Sequence, residues 1–351
     1  MISHVSAARR FSLAMLAACL LLVSPLSGAA LAEPVTWKLA TIAPKRVGWS
    51  ILLDTVVAPA VKKATDGTLV FKWYYNGVLG DDVAFVKQIH AGTIQGAGFS
   101  GRGVVLAVPE AGVLQLPFLF RGYDEVDYVI HRLRTTLDRY AERRGMKYLY
   151  YGDQDFDELY SASVPITKLS DFAGRKFMNW CGPLEAEVLK TLGAIPVSGS
   201  VAELSAKIRT GEADAFVAPV FYTVGAQLHA VTKYINTLPI RYSPAGIIIG
   251  TGPWKALKAE YRDRLVEGRE ELAAQFNPKN RAEAKKAVDS MVRYGVKRVE
   301  TTPAELARLE KQVAPLWKKL AGKDYPKELL DEVLGYLKEY RERAHNAGKN
   351  R

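Results

Sequence analysis

The chain has 351 residues, 48% of them hydrophobic and 24% charged, a balance that fits a globular protein and excludes a fibrous or low-complexity one. The formal charge is +11, but residues 33–252 carry a net +2 and residues 253–351 a net +7, with acids interspersed (Arg262, Asp263, Arg264; Lys338, Glu339, Arg341, Glu342). Such mixing gives a solvated helical face and not the clustered basic and aromatic surface that nucleic acid requires, so no nucleic-acid partner is expected.

Residues 1–32 read as a removable signal peptide. Arg9 and Arg10 form the positive region, residues 11–23 are apolar except for Ser12, and Ala30-Leu31-Ala32 places small residues before a cleavage point at Glu33. The apolar run is shorter than the ~20 residues of a membrane-spanning helix and meets Ser24, Pro25, Ser27 and Gly28. Leu16-Ala17-Ala18-Cys19 offers an alternative, a lipoprotein box that would leave Cys19 lipidated and tether the same protein. Soluble export to the periplasm, with cleavage after Ala32, is the expectation. Cys181 is then the only cysteine, so no intramolecular disulfide is available and stability must come from packing.

Along the chain, residues 35–41 and 69–75 read as strands, and 49–64 and 83–91 as helices, with Gly92 closing the latter. Leu114 to Phe120 is an apolar segment containing Pro117. Residues 124–143 follow as a helix and 146–151 as a strand. The alternation resumes with strands at 175–180 and 213–217 and helices at 183–192 and 201–210. Toward the end, Thr302-Pro303-Ala304-Glu305 is a capped helix start before residues 306–320, and Pro326 opens a last amphipathic helix. Strand–helix alternation predicts α/β layers with mainly parallel sheets. A repeated pattern, Gln88 to Gly92 before Thr93–Ala97 and Lys207 to Gly211 before Glu212–Phe216, predicts two lobes of similar build with a cleft at their strand ends.

Catalytic and cofactor motifs are weak. Gly96-Ala97-Gly98-Phe99-Ser100-Gly101 matches G-x-G-x-x-G, but a helix and only a few strand residues precede it, so it reads as glycines that let a loop turn tightly. Arg102 spoils a G-x-S-x-G elbow around Ser100, and His90, His131, His229 and His345 lack metal-site spacing. Asp153-Gln154-Asp155-Phe156-Asp157-Glu158 resembles the start of a calcium loop, yet Glu158 and Val164 stand where Gly and Glu are needed. These four acids are either a solvated loop or an acidic wall of a cleft. No enzyme activity, metal or cofactor is expected.

Taken in order, Gly80-Asp81-Asp82 with Gln88 to Gly92, Leu116-Pro117-Phe118-Leu119-Phe120, Asp171-Phe172-Ala173-Gly174-Arg175-Lys176, Leu192 to Val197, and Glu203-Leu204 with Lys207 to Gly211 and Asp214 resemble the substrate-binding proteins of TRAP transporters, the DctP type. The resemblance covers essentially the whole chain after residue 32. It implies a two-lobed periplasmic binding protein fold crossed by long helices, with lobe I at residues 33–155 and about 243–283, and lobe II at 156–242 and about 284–351. It also implies a monomer that captures one small organic solute, usually an acid, and delivers it to membrane permease subunits.

In that family an arginine two residues past the Asp-Leu-x-Gly-x-Lys segment clamps the ligand carboxylate. Met178 stands there, acids at Asp157 or Glu158 replace a second arginine, and Ala218 replaces an asparagine. A carboxylate buried against Met178 would lack a partner charge. The expected ligand is therefore not a simple dicarboxylate but a neutral aromatic or hydrophobic compound, or a cation. Met178, Trp180, Phe216, Phe221 and Tyr222 would line its pocket, with Asn179, Asp157 and Glu158 as polar handles and Ser100 on the loop opposite. The alternative is that these residues are lobe core and that Arg102 or Arg241 supplies a clamp. Two other readings stay open: a binding subunit of a sensor or accessory complex, and a secreted hydrolase built on Ser100.

Overall fold

The computed structural model describes residues 33–349, so the signal peptide and Cys19 lie outside the described residues. Val35–Thr41 (β1), Leu69–Tyr74 (β2) and Gly96–Phe99 (β3) are parallel strands of the first lobe. Between them, residues 49–64 form one helix (α1) with a π turn at Leu53–Val57, and Asp82–His90 form α2. The Asp81 side chain caps α2 by accepting from the Ala84 amide at 3.0 Å, and Gly92 follows its end at φ 73°. In the second lobe Lys176–Asn179 (β5), Ile195–Ser198 (β6) and Ala215–Ala218 (β7) are again parallel.

Two long strands join the lobes. Met146–Ser161 (β4) and Tyr234–Gly250 (β8) pair antiparallel, and the sheet order is β2-β1-β3-β8-β4-β7-β5-β6, with Lys297–Val299 (β9) on β8. The expected strand at 146–151 is therefore ten residues too short at its C-terminal end, and β8 was not anticipated. Pro239 and Pro244 argue against a central strand because proline cannot donate to the ladder. Both sit beside breaks in register, between the Asp153/Pro244 and Asp155/Ser243 pairs and between Asp157/Arg241 and Leu159/Asn236.

The glycines of the 96–101 segment serve a different purpose from the expected loop turn. Gly96 and Gly98 lie inside β3, where a side chain on Gly98 would come within 2.8 Å of the Trp49 ring. Ser100 then caps Gly101–Ala107 (α3). Tyr123–Arg143 (α4) and Arg269–Arg293 (α10) pack on β4. Leu272 and Phe276 of α10 belong to the core of the first lobe, and Ala284, Val288 and Met291 to that of the second, so this helix crosses both. The expected N-cap is present at Thr302, whose hydroxyl accepts from the Glu305 amide at 3.3 Å at the start of Pro303–Leu320 (α11).

Candidate functional site

The two lobes meet where β1 and β3 end in the first and where Val220–Gly225 (α7) follows β7 in the second. Residues 42–48 lie directly on α7. A Cβ on Gly48, whose φ is +45°, would fall 2.6 Å from the Phe221 ring, and one on Gly225 would fall 2.7 Å from Pro44. Only glycine permits this approach, and the contact closes a small cleft of about 60 Å³. Ser100, Phe221 and Tyr222 line it together, joined by Trp49, Gln154 and Ala245. Trp180 lies just behind, stacked on Tyr222 with ring centres 5.8 Å apart and its indole donating to the Val217 carbonyl at 2.8 Å.

Ser100 is committed to structure. Its hydroxyl donates to Asp82 Oδ2 at 2.6 Å and accepts from the Gly103 amide at 3.2 Å. Burial raises the Asp82 pKa to about 6, against the pull of that hydrogen bond and of the Arg102 charge.

The acidic run is neither a solvated loop nor an open acidic wall. Asp153, Asp155, Asp157 and Glu158 are at most 7% exposed and sit within β4. Their partners come from α4, β8 and α10, and in one case from β4 itself. Arg281 of α10 and the Tyr242 hydroxyl bind Asp153 at 2.5 and 2.6 Å, and the Tyr123 hydroxyl binds Asp155. Arg241 donates from Nε to Asp157 Oδ2 at 2.7 Å and from Nη1 to Glu185 Oε1 at 3.1 Å, while Ser243 donates to Asp157 at 2.9 Å. Glu158 accepts from the Tyr160 hydroxyl at 3.1 Å; burial and then its acidic neighbours Asp155 and Asp157 hold its carboxyl well above the usual range, favouring the protonated form. Burial also raises Asp157 and Glu185, with Arg241 pulling the other way. The guanidinium of Arg241 is thus shared by two buried carboxylates and is not an open clamp.

Met178 and Phe216 are fully buried in the second lobe, paired across β5 and β7, with Phe216 stacked on Tyr160 at 4.8 Å. They do not border the cleft cavity. Neither do Asp157 and Glu158, which lie on β4 opposite Arg241 and Ala218 respectively. Asn179 turns its side-chain oxygen to the Gly182 amide at 3.2 Å. Arg102 is half-buried, makes no hydrogen bond or ion pair among the described residues, and lies close enough to Cys181 of the opposite lobe for its charge to act there. Sequence reasoning missed Trp49 and Gln154 as cleft residues. Trp49 reads only as the start of a helix, and Gln154 is hidden among acids; its Oε1 accepts from the Gly101 amide at 2.8 Å.

A larger recess of about 400 Å³ lies between α4, α10 and the back of the sheet. Its charges are matched internally, Arg281 with Asp127 and Asp153, and His131 and Arg134 with Glu270. Among the described residues no three His, Cys, Asp or Glu side chains are grouped to hold a metal, and no helix is long and apolar enough to cross a membrane.

Comparison with known proteins agrees with this architecture. The solute-binding protein of Ochrobactrum anthropi, a TRAP periplasmic protein solved with a C-terminus in its ligand-binding pocket, superposes with a TM-score of 0.80 at 25% identity, over 90% of this chain and 98% of that one. The sugar acid binding protein of Advenella mimigardefordensis, in complex with galactonate, gives 0.79 at 22% identity over 88% and 99%. Among curated sequences, the 2,3-diketo-L-gulonate-binding periplasmic protein YiaO of Escherichia coli is 25% identical over 238 residues, 67% of this chain and 72% of that protein. The family model for bacterial extracellular solute-binding protein, family 7, matches residues 53–324, and the chain belongs to this DctP family of TRAP solute-binding proteins.

Proposed function

We propose that this protein captures, in the cleft between its lobes, a small organic solute that is not a simple dicarboxylate, and delivers it to TRAP permease subunits. Arg241 carries the reading: the one arginine on the hinge strand β8 is consumed by Asp157 and Glu185, and Met178 stands in the core where a clamping arginine is expected from the resemblance. A second carboxylate in the cleft would be buried without a counter-charge, at a cost of several kcal/mol. Galactonate and diketo-gulonate, named for the Advenella and E. coli relatives, carry one carboxylate each. The lobes are taken as residues 33–155 with about 243–283, and 156–242 with about 284–351, hinged on β4, β8 and α10. The mature protein acts as a periplasmic monomer after cleavage behind Ala32. A non-catalytic role is supported by Ser100, whose oxygen faces Asp82 and the Gly103 amide instead of a histidine base.

Thermal-shift titration with succinate and malate tests the ligand class. No stabilisation is expected. Stabilisation that survives Met178→Ala but is lost in Arg102→Ala would overturn the reading and make Arg102 the clamp. Mass spectrometry of solute released from the purified protein identifies the ligand independently.

A further inference from the structure

The ladder between β4 and β8 leaves one residue over. Asp153 pairs with Pro244 and Asp155 with Ser243, so Gln154 is the extra residue of a bulge, the device by which a strand re-aims a side chain. Asn280 of α10 pins its backbone, donating from Nδ2 to the Gln154 carbonyl at 3.2 Å. The side-chain amide is fixed as well. Its Oε1 accepts from the Gly101 amide at 2.8 Å, and only the oxygen can answer that donor, which settles which way the amide points. Nε2 is left over. It has no acceptor among the described residues, yet it is not one of the polar atoms sealed from solvent, and the cleft is the cavity that Gln154 lines. Ser100 beside it has already given its hydrogen to Asp82, and the Trp49 indole nitrogen is sealed away. Arg102, the residue after Gly101, is half-buried and likewise without a hydrogen bond or ion pair among the described residues.

We infer that Gln154 is the specificity-determining residue of this cleft: its Nε2 donates to an oxygen, hydroxyl or oxo, on the second carbon of a short monocarboxylic acid whose carboxylate Arg102 balances. The lining has no charged side chain, so the oxygen read inside is an uncharged one and the carboxylate stays at the rim with the cation. With Phe221 against Gly48 the cavity holds about 60 Å³. At ~10–15 Å³ for each water-sized atom, that is room for roughly four to six heavy atoms, the size of a two- or three-carbon acid. One unpartnered cation suits one carboxylate, in keeping with the exclusion of dicarboxylates. This inference rests on the binding-protein reading above and names the residue and the solute class for the same cleft.

The test uses the mature protein with racemic lactate and pyruvate as probes and propionate, which lacks only the oxygen on the second carbon, as control. In calorimetry the better probe should bind about fivefold tighter than propionate, the worth of one hydrogen bond. Gln154→Met should abolish that ratio, whereas a purely structural role would lower all three affinities alike. Arg102→Gln should weaken all three acids and keep the ratio. In 15N–1H spectra the side-chain amide pair of Gln154, assigned by its loss in Gln154→Glu, should shift at saturation with the better probe. Gln154→Glu retains an acceptor for the Gly101 amide, and the ratio on the unmodified protein needs no variant, so a misfolded Gln154→Met does not spoil the test. Propionate binding as tightly as both probes, a ratio that survives Gln154→Met, an amide pair that does not move, or no probe binding at all would each overturn the inference. Failure of this inference alone leaves succinate and malate without effect. If those acids stabilise the protein through Arg102, the parent reading has failed instead.

Discussion

Replacing Arg241 by Met is the sharpest test of the electrostatics between β4 and β8. The Arg241 side chain is 8% exposed, Asp157 is 0% and Glu185 is 4% exposed, so the substitution leaves two carboxylates in the interior without a cation. Removing one partner from a buried ion pair costs about 3–5 kcal/mol, whereas replacing the whole set with neutral groups of similar shape costs little. At roughly 2–4 °C per kcal/mol for a chain of this size, the variant should melt on the order of 10 °C lower by circular dichroism at pH 8. The triple change Arg241→Met, Asp157→Asn, Glu185→Gln should recover most of that loss. The pH dependence has a definite sign. Burial already holds both carboxyl pKa values above their unfolded ones, and without Arg241 they rise further. The folded variant then keeps protons that its unfolded chain releases, so its stability falls as pH rises above the unfolded carboxylate range. The deficit relative to wild type must therefore shrink on going from pH 8 to pH 5. A melting-point loss under 2 °C, or a deficit that grows in acid, would refute the claim that Arg241 exists to neutralise these two acids.

Two further outcomes follow from the same structure. Asp82, raised by burial to about 6, takes up a proton on folding between its unfolded pKa and that value, so its contribution to stability declines as pH climbs from about 4 to about 6. Asp82→Asn should flatten this part of the denaturant-midpoint profile by up to about 3 kcal/mol; an unchanged slope would show that the carboxylate is ionised in the native state. Gly48→Ala places a methyl group against Phe221 in a backbone region that favours glycine, so it should weaken solute binding several-fold with a smaller effect on melting temperature. Pairing it with Phe221→Ala should restore part of that binding in calorimetry, and a strictly additive loss would deny the contact between the lobes.

The helices and short strands of both lobes were legible because their signals are local. The period of apolar residues, Asp81 and Thr302 as caps, and Gly92 as a terminator all act within one or two turns. The long β4–β8 pair was not legible, for a physical reason that the acids of β4 make plain. Asp153, Asp155 and Asp157 alternate as strand residues should, but three carboxylates facing a core look like a solvated loop until their partners are known. Those partners lie far away in sequence: Arg241 is 84 positions from Asp157, and Arg281 is 128 positions from Asp153. The prolines of β8 likewise look like strand breakers until the register shifts beside them are seen. The same limit governs the binding site. The sequence left two places open for Met178, the pocket wall or the lobe core, and only the packing puts it in the core with Phe216. That burial removes the lobe II strand end from the cavity wall and leaves the wall to Trp49, Gln154 and Phe221. A family motif names a position in the chain, and only the packed structure shows whether the side chain at that position borders a cavity or is taken up by the core.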